Sequence, residues 1–372
     1  MPIYRMKGKK DGKQQYRVRI NYTDSTGRHK QLDRVAYGLA EARDLEMRLA
    51  REVKEQLPAR KITVQELYEE YTAVKAHEVR ETSLDKIKRI LSAYVLPKLG
   101  QNRIDKLSNP VLQRWKTGIA ELELSVTTKQ NIYKEFRALL NYAVRMEYLP
   151  KNPLVNIGNF KDPYFDAPQE KLQYYTPEQF KRYIVSARKK AVSLTDWGYY
   201  VFFAVAFYTG MRKGEINALR WSDLEGDIIH VRRSVAQKLK GGDRETPPKN
   251  KSSYRDLQIP VPLKNILDEH KARQEKAGGF TESFRVCGGI QCLRDTSIEN
   301  KNKEFAKAAG LPHIRIHDFR HSHASLLANE GINIQEIARR LGHSKIEITW
   351  NTYAHLYPRE EERAIQILNK IV

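Results

Sequence analysis

Cysteine is nearly missing from this 372-residue chain, with Cys287 and Cys292 its sole representatives. Two thiols build neither a disulfide scaffold nor a four-ligand zinc site, which sets aside a secreted mini-domain and a zinc finger. Long apolar runs are missing as well. The longest uncharged apolar stretch, Trp197 to Met211, falls short of the ~20 residues that cross a bilayer. The first residues, MPIYRMKGKKDGKQQ, lack the apolar centre of a secretion signal, so the expectation is a cytoplasmic protein that does not span a membrane. Acidic residues are in deficit: 45 Asp and Glu face 66 Lys and Arg, for a net charge of +21 and a pI near 9.7. That excess bears on partners rather than on fold, and nucleic acid and an anionic membrane surface are the two candidates. Internal repeats and low-complexity tracts are also absent. What remains is a composition of 40% hydrophobic and 30% charged residues, ample for a buried core and long enough for two or three domains.

The chain reads as three segments, a multidomain α+β organisation. In residues 1–60, Tyr16, Val18, Ile20 and Tyr22 alternate with Arg17, Arg19 and Asn21, a strand with one apolar and one basic face. Asp11-Gly12 before it and Asp24-Ser25-Thr26-Gly27 after it carry turn chemistry. A further strand fits Lys30 to Val35 and a helix fits Ala40 to Glu55, giving a small three-stranded sheet backed by one helix. Arg17, Arg19 and Asn21 then face outward, either as a β-ribbon that reads a DNA groove or as ordinary solvated charge. Residues 61–160 read as a four-helix bundle, opened by the capping-box spacing Thr63–Glu66 and closed by Pro150, Asn152 and Pro153. Pro163 and Pro168 mark residues 161–172 as a linker. Residues 173–372 open with Thr176-Pro177-Glu178-Gln179, another capping box.

The third segment carries the chemistry. In VFFAVAFYTGMRKGEI an apolar run ends at Thr209-Gly210 and Arg212 follows the break. A guanidinium against an apolar wall requires an anion, and both Glu215 and a phosphate answer that need. In HIRIHDFRHSHAS, His317 and Arg320 share one helical face, as do His317 and His321. The first pair suits a phosphate, and the second suits a metal that still lacks a third ligand. In EIARRLGHSKIEITWNTYAHLY, Gly342 is a natural helix terminator, Ser344 with Glu347 has capping-box spacing, and His343 falls at the corner. Tyr353 on the next helix reads as core or as a functional phenol. Between strands at Ile228–Arg232 and Arg255–Ile259 runs a basic loop holding Pro248-Lys249-Asn250-Lys251-Ser252, either a solvated turn or a tip that inserts a lysine into a DNA groove.

Taken together, TGMRKGE, PPKNKSSYR, HDFRH, LGHS and TYAH come in the order and spacing of tyrosine site-specific recombinases, which the whole third segment closely resembles. The first two segments are similar to the arm-type and core-binding domains of that family, nearest to integrases of Gram-positive phages and conjugative transposons. The resemblance implies a mostly helical catalytic domain with a small β-sheet. It implies that Arg212 and Arg320 clamp the scissile phosphate, that His317 and His343 hydrogen-bond it and handle protons, and that Tyr353 attacks phosphorus. Lys249 protonates the departing 5′ oxygen in that scheme, with Lys251, two residues on, as the alternative. No cofactor is implied, neither metal nor ATP. The implied partners are double-stranded DNA at core and arm-type sites, three further copies of the chain in a homotetramer, and accessory DNA-bending or excision factors.

The physical logic suits these residue types. A phosphodiester repels nucleophiles, and two guanidiniums offset its charge; an arginine in comparable chemistry is worth ~10³–10⁵ in rate. A free tyrosine, of pKa ~10, is about one part in a thousand ionised at neutral pH, whereas lysine stays protonated and available as an acid. The apolar tail, Ala364, Ile365, Ile367, Leu368, Ile371 and Val372, either folds back as core or docks onto a neighbouring subunit, the latter on resemblance. Three rivals share parts of this pattern: a type IB-like topoisomerase, a DNA-binding regulator without catalysis, and a metal-dependent nuclease built on His317, His321 and His323.

Overall fold

The computed structural model describes residues 3–10, 12–23, 29–56, 62–162, 172–237, 242–248, 250–357, 365 and 368–369. The chain divides into two compact units, Met1–Ala167 and Pro168–Val372. The turn residues expected at Asp11 and at Asp24 to Gly27, the linker prolines, Lys249 and most of the apolar tail lie outside the described residues. Of the tail, Ile365 and Leu368 are described and exposed.

The first unit begins with strands β1 (Ile3–Lys10), β2 (Lys13–Thr23) and β3 (His29–Tyr37), antiparallel in the order 1-2-3, followed by helix α1 (Leu39–Gln56). The period-two alternation determines which face α1 covers. Val18 and Ala36 are fully buried with Ala42 and Leu49 of the helix, and Tyr16, Ile20 and Leu32 pack around them. Register pairs Arg19 with Asp33 and Asn21 with Gln31 on the opposite face.

Five helices follow: α2 (Val64–Glu78), α3 (Glu81–Tyr94), the single turn α4 (Leu96–Leu99), α5 (Asn109–Ala120) and α6 (Val126–Arg145). The capping box predicted at Thr63 forms in both directions, with Glu66 N–H donating to Thr63 Oγ1 at 3.1 Å and Thr63 N–H to Glu66 Oε2 at 2.7 Å. The helical stripes interlock, so that Leu67, Leu91, Leu112, Ile132, Phe136 and Leu140 build a core of their own. Helix α6 ends at Arg145, before the prolines read as its close, and Pro153–Ile157 forms a short 3₁₀ turn capped by Asn152.

The second unit is built on α7 (Pro177–Lys190) and α8 (Leu194–Thr209). Helix α8 is apolar all round and is buried from Trp197 to Phe207, as a helix without a polar face must be. After it come α9 (Lys213–Ala218), β4 (Leu224–Glu225), β5 (Ile228–Val231), β6 (Ser234–Ala236), β7 (Arg244–Thr246) and β8 (Arg255–Gln258). The strands β4, β5 and β8 form one antiparallel sheet. The basic stretch read as a loop contains a hairpin of its own, β6 paired with β7. Short polar strands such as Arg244–Thr246 lack the apolar alternation that would have announced them. Helices α10 (Val261–Lys276), α11 (Asp295–Ala308), α12 (Ile316–Asn329), α13 (Ile334–Leu341) and α14 (Ile346–Tyr353) complete the unit, with α12 packed against α8 and α13. Among the described residues no helix is long and apolar enough to cross a membrane.

Candidate active site

Two glycines shape the site. Gly210 ends α8 at φ 64° and Gly342 ends α13 at φ 66°, the left-handed conformation that lets a helix stop and its chain turn sharply. A side chain at either would be strained. A Cβ on Gly210 would stand 2.8 Å from the His323 ring and one on Gly342 3.1 Å from the Ser252 carbonyl oxygen. The corners therefore press close to their neighbours, and each brings a helix C-terminus, with its unsatisfied carbonyls, into the same small region.

Arg320 of α12 is bound there. It is 3% exposed and donates to Gly210 O at 2.8 Å and to Leu341 O at 2.6 Å. The carbonyl ends of α8 and α13 favour a cation without cancelling its charge. Among the described residues no carboxylate pairs with it. Burial, with Arg212 second, presses its pKa down to about 9. Arg212 reaches the next carbonyl along, Gly342 O at 3.2 Å, so the two guanidiniums hang from consecutive residues of one corner.

Both readings of Arg212 find material here, because Glu215 is its partner at 2.9 Å and its side chain is still 38% exposed. Glu215 itself is buried and also accepts from Arg255 at 2.9 Å. Burial alone would raise its pKa, but Arg255 and Arg212 more than offset this and hold its carboxyl below the usual range. Arg255 donates onward to Arg340 O at 2.7 Å and to Ser253 O at 3.0 Å, tying β8 to α13. The sequence reading missed Arg255. Its signal was an arginine on the inward side of an alternating strand beside Leu257 and Ile259, a position that demands a buried partner.

His343 stands half-buried at the second corner, its Nδ1 2.8 Å from Thr349 Oγ1. Burial and the cations Arg320, Arg212 and Arg255 push its pKa down to about 4, so the ring is neutral at pH 7. The predicted cap Ser344 is not used. Helix α14 starts one residue later than that spacing implies, behind Lys345 and without a side-chain cap. His317 lies on the first turn of α12, solvent-exposed, with its ring 5.1 Å from that of His321. His323 points elsewhere, toward Phe207 O at 2.9 Å, and among the described residues no group of three His, Cys, Asp or Glu side chains could hold a metal ion.

Tyr353 is 2% exposed, seated among Ala324, Ala328, Ile337 and Leu341. Its hydroxyl lies 2.6 Å from His321 Nδ1. Burial raises the phenol to about 12 against the pull of Arg320. Trp350, one turn earlier on α14, is exposed. Lys251 sits in a 3₁₀ turn, Lys251–Ser253, whose Ser252 and Ser253 lie against the Gly342 corner, while Lys249 is outside the described residues. In the first unit, Arg17 and Arg19 share Asp33 at 3.3 and 3.1 Å, and Asn21 accepts from Gln31 at 2.7 Å. The structure thus brings Arg212, Arg320 and His343 together at two adjoining corners and sets His317 and Tyr353 on or against the same helix, α12.

Comparison with known proteins matches residues 173–360 to the phage integrase family and residues 63–119 to the phage integrase N-terminal SAM-like domain. The ICEBs1 integrase of Bacillus subtilis (strain 168) is 28% identical over 97% of this chain and 98% of its own length. A tyrosine recombinase XerC-like protein of Caldanaerobacter subterraneus is 28% identical over 72% of each chain. Among solved structures, the Tn1549 transposon integrase in complex with a circular intermediate DNA aligns with a TM-score of 0.65 at 19% identity, covering 84% of this chain and 100% of that one. A lambda integrase tetramer bound to a Holliday junction aligns with a TM-score of 0.58 at 14% identity, covering 97% of both. These structural likenesses concern the fold.

Proposed function

Because the chain belongs to the phage integrase family, we propose that Tyr353 is the nucleophile of a site-specific recombination reaction and that Arg212 and Arg320 hold the phosphate it attacks. One observation carries this reading: two guanidiniums hang from consecutive carbonyls at the end of α13, and α12, which bears one of them, also bears the residue that touches the Tyr353 hydroxyl. Neutral carbonyls fix Arg320 and leave its charge for an anion that is not part of the protein. His317 and His343 complete the phosphate's hydrogen bonds. Lys249, with Lys251 as its alternative, is the acid for the 5′ oxygen.

The chemistry follows from those groups. The phenol oxygen displaces the 5′ oxygen from phosphorus and leaves a 3′-phosphotyrosyl ester. A 5′ hydroxyl from a second strand reverses the step, so the energy of the broken bond is retained in the ester and no nucleotide is consumed. Charge stabilisation comes from positioned arginines. The reaction as proposed integrates and excises a mobile element in the cytoplasm. It uses a homotetramer on double-stranded DNA, with accessory bending or excision factors setting direction. Residues 1–60 act as an arm-type DNA-binding domain through Arg17, Arg19 and Asn21. Residues 61–160 act as the core-binding domain, 161–172 as a linker and 173–372 as the catalytic domain.

The test is covalent capture on a nicked duplex carrying the recombination site. The parent chain forms a protein–DNA adduct that survives denaturation, also in EDTA, and Tyr353→Phe binds the same DNA without forming one. An adduct in Tyr353→Phe contradicts the nucleophile assignment. Loss of the adduct in EDTA would favour a metal-dependent nuclease, and relaxation of any plasmid without site preference would favour a topoisomerase.

A further inference from the structure

We propose that His321 is a working member of this site: it fixes the Tyr353 hydroxyl through Nδ1 and receives the phenol's proton as the oxygen attacks phosphorus. This role rests on the strand-cleavage reading above and identifies the base within it.

A general base has to lie within about 2.6–3.2 Å of the oxygen whose proton it takes, and geometry comes before acidity. His321 Nδ1 meets that condition at 2.6 Å. Of the two histidines assigned to the phosphate, His343 turns Nδ1 to Thr349 and His317 stands on the exposed first turn of α12, whereas His321 is the one that meets the Tyr353 hydroxyl. The phenol is 2% exposed, so water competes poorly for its proton.

Protonation states agree with the geometry. Burial and His317 press the His321 ring down to about 4, and burial pushes the phenol up to about 12. In the tautomer with the ring proton on Nε2 the hydroxyl donates and Nδ1 accepts, and this is the form the base role requires. Both partners rest neutral, the state from which a base begins. The groups that face this imidazole are His317, Asp318 and Arg320 on its own helix, Arg315 at that helix's N-cap and Tyr353 from α14. An arriving phosphodiester adds the negative charge that favours an imidazolium, raising the basicity of the ring when cleavage requires it.

The step balances within the site. The Tyr353 O–H bond breaks and its proton passes to Nδ1. An oxygen lone pair forms the O–P bond while the P–O5′ bond breaks. The 5′ oxygen takes a proton from a cationic side chain, Lys249 in the reading above. Resealing runs the same transfers backward, with the imidazolium returning its proton to the phenol oxygen. His321 directly follows Arg320 and stands one turn from His317, with the two histidine rings 5.1 Å apart edge to face, so base and phosphate ligands share one rigid helix.

The experiment is single-turnover adduct formation by the full chain on a nicked recombination site. It is run in parallel on a duplex whose scissile 5′ oxygen is replaced by sulfur, a leaving group that needs no acid. His321→Asn keeps an acceptor for the phenol but takes up no proton, and His321→Phe keeps ring volume and removes the acceptor as well. Both variants are expected to bind DNA and melt like the parent. Both lose ~10²–10⁴-fold in adduct formation on the oxygen and the sulfur duplex alike. In His321→Asn the remaining rate climbs about tenfold per pH unit through alkaline pH, where the phenol has to ionise unaided, while the parent's rate is level. The role is overturned if His321→Asn keeps the parent's rate and pH profile, or if the sulfur duplex restores the lost rate, which would put His321 on the leaving group. A parent chain that forms no adduct removes the strand-cleavage reading itself; a parent that forms adducts beside an unaffected His321→Asn removes only the base.

Discussion

Arginines occupy the outer face of the first-unit sheet and the corners of the second unit, yet Arg17 and Arg19 are held by different means from Arg320. Arg17 and Arg19 share the Asp33 carboxylate at a surface where their side chains are 43% and 35% exposed. Arg320 is buried, donates to two helix-terminal carbonyls and pairs with no carboxylate among the described residues. A carboxylate largely offsets the arginines it binds, whereas a carbonyl fixes direction and leaves the charge. A net charge of +21 describes how strongly the whole chain attracts a polyanion. The carbonyl-held guanidinium describes where one particular phosphate would stop.

The largest expected effect comes from breaking that arrangement. Arg320→Ala and Arg212→Ala should each slow single-turnover adduct formation by ~10³–10⁵-fold while site binding, read by mobility shift, persists. Cleavage at the parent's rate in Arg320→Ala would mean that the uncompensated charge serves only the fold. Next is the buried pair behind the site. Glu215→Ala strands Arg255, and removal of one partner of a buried ion pair costs about 3–5 kcal/mol, measurable by urea unfolding. A loss below about 1 kcal/mol would mean that Arg255 is satisfied by its carbonyl partners alone.

Acid should act on the second unit with a defined sign. Burial holds His323 at about 3 and His270 at about 4, both below the ordinary histidine value of 6.5. Between those limits the unfolded chain binds the protons and the folded chain does not. Stability is therefore fully present above about pH 6.5 and declines as pH falls, at about 1.4 kcal/mol per pH unit for each ring. Urea midpoints at pH 7.5, 6 and 5 check this, and a flat profile would contradict the burial of both rings. The smallest effect sharpens the other half of the comparison. Asp33→Asn removes a partner that is 33% exposed and should change stability by no more than about 1 kcal/mol. If residues 1–60 read arm-type DNA, freeing Arg17 and Arg19 should tighten that binding and steepen its salt dependence. Unchanged affinity would argue that this face is only solvated charge.

Much of this was legible in the residues. The alternation through Tyr16 to Tyr22 announced β2 and its two faces, and Gly342 announced the corner that carries His343, because period and conformational freedom are local properties. Thr63 and Thr176 gave their helix starts for the same reason. Ser344 shows the limit, since its spacing was right and yet the next helix begins behind Lys345. Long-range pairing was hidden altogether. Nothing near Arg255 in the chain points to Glu215, forty positions earlier, and nothing near His321 points to Tyr353. His321 was read only as a candidate metal ligand beside His317 and His323; its partner arrives from another helix.

The account turns on which oxygen carries the DNA. Trapping the covalent complex on a nicked site, digesting both components and identifying the linked peptide by mass spectrometry answers that directly. The expected result is a nucleotide joined through phosphate to the Tyr353 phenol in a peptide spanning α14. A phosphate on any other residue, or a trapped complex that persists in Tyr353→Phe, would contradict it.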